Sequence, residues 1–166
     1  LLFRKTLQEI LDQALQMDWI SERTKLYLLS PFLNISKIYF LPKIHWNLNQ
    51  PPFRPIVVGC GSIHKYPGRY LDAFLQPLVT SDVSYIQDMT DFLLKWSEVQ
   101  WQAEEEIWLV TIDVTVIYTS IPHVEGLAAV ECTLLESPLL KANKVFLLKL
   151  LHFCLYHGYF SCFNEF

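Results

Sequence analysis

Leu7, Ile10, Leu11, Ala14 and Leu15 recur at helical spacing, which predicts a helix over residues 3–17. Ser21 can cap a second, short helix running through Leu29. The pattern then changes. The stretch "SKIYFLPKIH" predicts a strand ending at Pro42, and "QPPFRPIVVG" predicts a proline-rich turn feeding a second strand, Arg54–Val58. Pro51, Pro52 and Pro55 confine that strand to an edge or hairpin, because proline has no N–H to give a ladder. Gly59-Cys60-Gly61-Ser62 reads as a turn. It is not a phosphate loop, since the glycine pattern is incomplete and no βαβ context surrounds it.

Further on, Leu71, Phe74, Leu75 and Leu78 share one face of a helix over Tyr66–Val79, which Pro77 is expected to end or bend. Asp88 or Thr90 caps another helix running to about Val99. Ile107–Val114, rich in β-branched residues, predicts a buried strand. Pro122 suits the first turn of a helix that runs to about Glu136. Ala142–His157 is a strongly apolar helix with Gly158 as its natural stop, and Tyr159–Phe163 begins a strand. Helices and strands alternate, loops are short, and no repeat, low-complexity segment or linker appears, so the class is α+β or α/β in a single domain.

Composition sharpens this. At 166 residues, 52% hydrophobic and 14% aromatic, the chain is too apolar to stay disordered. It is also greasy for a self-sufficient domain, and it does not begin with Met; both lead us to expect a piece of a larger fold. No membrane span is expected, because the best apolar run, Val145–Phe160, is broken by Lys149, His152 and His157. The N-terminus lacks the layout of a signal peptide, and the four cysteines form neither a CxxC pair nor a small-domain disulfide pattern. An intracellular, reducing setting is expected, the nucleus included.

The net charge of −4 conceals an asymmetry: residues 1–70 carry nine Lys/Arg against four Asp/Glu, whereas residues 71–166 carry four against thirteen. No acid lies between Glu22 and Asp72, a window holding Arg23, Lys25, Lys37, Lys43, Arg54, Lys65 and Arg69. Such a basic lobe beside an acidic one suits polyanion binding at one end and metal-assisted chemistry at the other, although a solvated charged face gives the same pattern.

The chemical question centres on "LVTIDVTVIYTSI", residues 109–121. An unpaired carboxylate within a buried strand is costly, so Asp113 needs a partner. Mg²⁺ is one, with backbone carbonyls such as that of Val114 adding oxygen ligands; hydrogen bonds from turn amides are the other. From this stretch alone the two stand level.

The wider order of motifs separates them. "FLPKIH" (Phe40–His45), "PPFRPIVVGCGS" (Pro51–Ser62), "FLQPLV" (Phe74–Val79), "SYIQDMTDFL" (Ser84–Leu93) and "LVTIDVTVIYTSIPHVEGL" (Leu109–Leu127) follow one another. As an ordered set they resemble the reverse transcriptase of Penelope-like retroelements, over most of the chain. The resemblance implies an α+β, helix-rich partial right-hand polymerase with short antiparallel strands: basic fingers over about residues 1–80 and the start of a palm over about 81–166. It implies that Asp113 is the first catalytic carboxylate and, with the Val114 carbonyl, a Mg²⁺ ligand. Tyr118 matches the position beneath the sugar of the incoming nucleotide, Arg54 the fingers arginine on its phosphates, and Lys43 a basic position near template or nucleotide. RNA template, DNA primer and deoxynucleotide are the implied partners, together with whatever completes the palm. Phosphoryl transfer suits this set, since two metals neutralise the attacking and leaving oxygens and arginine donates two parallel hydrogen bonds to phosphate.

The family places its paired aspartates on a later hairpin, after a glycine motif, and this chain contains no Asp-Asp pair. One carboxylate does not hold two Mg²⁺ ions, so the expectation is no polymerase activity from this polypeptide alone. "DVTVIYTSI" also departs from the commoner residues around the tyrosine, and Pro67 interrupts an expected helix start. Two other outcomes remain open: a non-catalytic nucleic-acid-binding module and a non-functional retroelement relic. Weaker candidates fall away. His152 and Cys154 would project about 200° apart on a helix and cannot easily share a zinc ion. His123 beside Glu125 has no nucleophile near it, and Trp46, Trp96, Trp101 and Trp108 form no evident stacking ladder.

Overall fold

A computed structural model describes residues 2–29, 34–44, 48–100, 106, 108–114, 117–139 and 141–162, the side chains of 118 and 119 excepted. The first helix, α1 (Leu2–Gln16), buries Leu7, Leu11 and Ala14, the stripe that the sequence spacing marks. It ends in a two-bond lock: the Trp19 N–H donates to the Ala14 carbonyl at 2.9 Å and the Asp18 N–H to Leu15 at 3.0 Å. That geometry places Asp18 at φ 56°, the left-handed conformation usually given to glycine. Helix α2 (Glu22–Leu28) follows, with the Ser21 hydroxyl accepting from the Thr24 N–H at 3.2 Å.

Strands β1 (Ser36–Pro42) and β2 (Phe53–Val58) form an antiparallel hairpin with Leu41 opposite Arg54 and Phe40 opposite Pro55. The Lys43 N–H donates to the Pro52 carbonyl at 2.8 Å. By strand alternation, Arg54, Ile56 and Val58 then turn their backbone groups toward β1, and Pro55 turns its missing donor outward. The third strand, β3 (Phe160–Ser161), lies on the other side of β1, giving the order β2-β1-β3. It pairs parallel to β1 at Ser36 and Lys37, so the expected all-antiparallel arrangement holds only for the hairpin. β3 arrives by a long helical route from the far end of the chain, as a parallel neighbour requires.

Helix α3 (Lys65–Thr80) accommodates both of its prolines. Pro67 sits in the first turn, where an N–H would have no helical acceptor, and is fully buried. Pro77 does not end the helix, which continues to Thr80; the carbonyl it leaves unpaired belongs to Ala73, which faces solvent and can take water instead. Helix α4 (Met89–Glu98), capped by Asp88, buries none of its residues.

Residues 108–114 carry neither helix nor strand, which corrects the expected strand over Ile107–Val114 (Ile107 itself lies outside the described residues). β-branched residues favour a strand only where a neighbouring strand supplies the ladder, and none adjoins this segment among the described residues. A single helical turn, α5 (Ile117–Ser120), follows. Pro122 caps α6 (His123–Glu136) from outside, with extended backbone at φ −64° and ψ 134°, instead of opening its first turn.

The last helix, α7 (Lys141–Tyr156), packs against α1, α3 and α6. It buries Phe146, Leu147, Leu150 and Phe153, a broader apolar face than a one-sided surface helix needs. Gly158 follows it without the positive φ expected of a glycine stop; among the described glycines only Gly61 has one. The core is one cluster in which Leu7, Leu11, Leu28, Leu71, Leu134 and the α7 residues meet. Each such side chain contributes about 1.5–3 kcal/mol by leaving water.

Candidate functional site

The β1–β2 hairpin stands largely free of the helical core. Of its strand residues only Ser36 is buried, and apolar side chains on both faces meet solvent, including Tyr39, Phe40 and Leu41 on β1 and Phe53 and Val57 on β2. A two-stranded ribbon with neither face covered is marginal unless something packs on it. Its charged groups are cationic: Lys37 and Arg54 are exposed and Lys43, at the end of β1, is half-buried. Lys65 and Arg69 open the helix that follows, and the Lys65 ammonium lies 5.4 Å from the centre of the Tyr66 ring. Cations interleaved with flat aromatic and aliphatic side chains form the kind of surface that tracks a phosphate backbone and stacks bases.

Asp113 sits elsewhere, in the irregular run 108–114. Its side chain is exposed, not buried, and has no hydrogen-bond or ion-pair partner among the described residues. The desolvation cost that made it conspicuous in the sequence is therefore absent. Its neighbours are exposed as well: Trp108 at 79%, Ile112 at 89% and Val114 at 56%. Tyr118 belongs to α5, and its side chain lies outside the described residues. Arg54 is joined to Asp113 by neither hydrogen bond nor ion pair.

Among the described residues, the oxygen donors around Asp113 do not make a two-metal site. Among the described residues no group of three or more His, Cys, Asp or Glu could hold an ion. Asp113 and the Val114 carbonyl alone offer too few oxygens for a hard cation that takes six. His152, Cys154, His157 and Cys162 likewise form no metal cluster. Burial pushes the Cys154 thiol up to about 12, which makes it an inert core group.

One feature escaped the sequence patterns. A groove of about 470 Å³ runs between α1, α6 and α7, lined by Ile10, Gln13, Leu127, Glu131, Leu148 and Lys149. Across it the Lys149 ammonium donates to Gln13 Oε1 at 2.6 Å and lies 5.5 Å from the Trp19 ring centre. Its only sequence signal is the lysine that interrupts the apolar run of α7. No helix among the described residues is long and apolar enough to cross a membrane. No protein-family model, curated protein or solved structure matches the chain.

Proposed function

We propose that this chain is the fingers and beginning of the palm of an RNA-directed DNA polymerase of retroelement type, acting through its β1–β2 hairpin on nucleic acid and nucleotide. The observation that carries the reading is the hairpin itself: a ribbon uncovered on both faces, with Lys37 and Arg54 exposed among aromatic side chains and Lys43 at its end. Its partners are a template–primer duplex and a deoxynucleotide. Arg54, in the middle of β2, supplies a planar fork for phosphate, and Asp113 presents an accessible carboxylate. The Mg²⁺ ions such chemistry uses call for carboxylates that the described residues do not bring to Asp113, so this polypeptide alone extends no primer.

That shortage also favours a second reading, a binding module without catalysis. Both readings share one test. Fluorescence anisotropy with a labelled RNA–DNA primer–template should show binding that weakens steeply with salt. The variant R54E should bind about tenfold or more weakly and lower the salt slope. Binding that ignores salt, or that R54E leaves intact, overturns both. Mg²⁺-dependent nucleotide binding that is lost in D113N selects the polymerase reading; nucleotide binding indifferent to D113N selects the module.

A further inference from the structure

Four of the five histidines in this chain gather around one end of α7. His64, just before α3, and His157, just after α7, flank the ring of Phe153, at centroid distances of 5.5 and 5.0 Å. Phe153 is fully buried. His152 stacks on Tyr156 at 4.4 Å, and His123 from the start of α6 meets the same tyrosine edge-on at 5.0 Å. The N-terminus joins the group: Phe3 of α1 touches His157 at 5.7 Å and stacks on Tyr159 at 5.1 Å. Tyr159 leads directly into β3.

Two ring nitrogens in this cluster, His64 Nε2 and His157 Nδ1, are buried without a hydrogen-bond partner among the described residues. A neutral imidazole tolerates one such nitrogen as an unused acceptor. Protonation turns it into a charged donor with nothing to donate to, at the cost of burying an unmet charge. No carboxylate among the described residues lies within ion-pair distance of any of these imidazoles. The charged groups nearest in sequence are no remedy. Lys65 and Arg4 add positive charge, Lys149 is engaged by Gln13, and the exposed Glu125 sits in the first turn of α6 beside His123.

We propose that the last turn of α7 and strand β3 form an acid-released latch whose trigger is His64. When His64 takes up a proton, the charge is driven toward water. The Phe153 sandwich opens, His157 loses its seat, and Tyr159 slides off Phe3. β3 then detaches from Ser36 and Lys37, leaving that side of β1 bare. In this proposal the buried leucines Leu7, Leu11, Leu134, Leu147 and Leu150, which share one cluster with Phe153, stay packed while the latch opens.

The titration direction agrees with the geometry. Burial first, then the neighbouring His157, hold the His64 pKa below its ordinary value of 6.5, against a hydrogen bond to the His157 backbone that raises it. The unfolded chain thus binds the proton more readily than the folded one. The stabilisation is complete above 6.5, declines as the pH falls from there toward the folded value, and levels off below it.

The test follows the native chain by NMR. The His64 ring should titrate with a midpoint below 6.5; a midpoint at or above that value overturns the proposal. Between about pH 7.5 and about pH 5, protection factors of the amides at 36–37 and 160–161, corrected for intrinsic exchange, should fall about tenfold while those of Leu11 and Leu150 hold. Unchanged protection at β3, or an equal loss everywhere, overturns it too. In H64F, which keeps a ring against Phe153 but carries no proton, the difference between the two pH values should vanish. Should H64F fail to fold, the two measurements on the native chain still decide.

Discussion

Asp18 shows how a single residue carries the cost of a turn. The chain reverses after α1 through two backbone bonds that fix position 18 at φ 56°, where a Cβ crowds the backbone. Aspartate tolerates this conformation better than most residues, but glycine is freer there. Asp18→Gly should therefore raise stability by about 0.5–1 kcal/mol, read as a higher urea midpoint at unchanged slope. Gly61 is the converse case. At φ 74° it is the residue its turn demands, and a Cβ there would come within 2.8 Å of Asn34 Nδ2. At this scale the sequence was legible wherever a residue type has one structural use, as with the Ser21 and Asp88 caps. It misled where one type has several uses: Pro122, expected in the first turn of α6, sits just outside it as the cap.

Among the elements, α4 depends most on its own ends, because none of its residues is buried. Asp88 accepts from the Asp91 N–H at 2.9 Å, and Asp91 reaches back to accept from the Gln87 N–H at 2.9 Å while pairing with Lys95 at 3.0 Å. The Gln87 hydrogen bond, and after it Lys95, hold the Asp91 carboxyl below its ordinary value of 3.8. The linkage is that of a depressed acid: the cap contributes fully above 3.8 and is lost as the pH falls below that value through the folded one. Amide protection across Met89–Glu98 should be steady near about pH 5 and collapse near about pH 2.5, and Asp91→Asn should weaken it at the higher pH already. Elements whose apolar stripe finds a core were readable in advance, α1 and α7 above all. The run ending at Val114 was not, because its composition records the wish for a strand and not the presence of a neighbour to pair with.

For the molecule as a whole, basic and acidic residues divide by chain position, and the structure keeps the basic hairpin outside the helical core. That arrangement, more than any single contact, makes nucleic acid the partner to test first. The sequence offers the candidate site only as a set of residue types in order. Its assembly is not legible there: whether Arg54, Tyr118 and Asp113 face one another depends on long-range packing, which periodicity does not encode.

The greasy, unpaired stretch beginning at Trp108 also has a practical consequence at the bench. A protease that prefers aromatic and leucine side chains needs an accessible backbone outside regular secondary structure, and here it finds one with Trp108 and Leu109 facing solvent. Brief chymotrypsin digestion should nick the chain there before it cuts α1 or α7, with mass spectrometry reading the new termini. A ligand or assembly partner that claims this stretch would announce itself by silencing that cut.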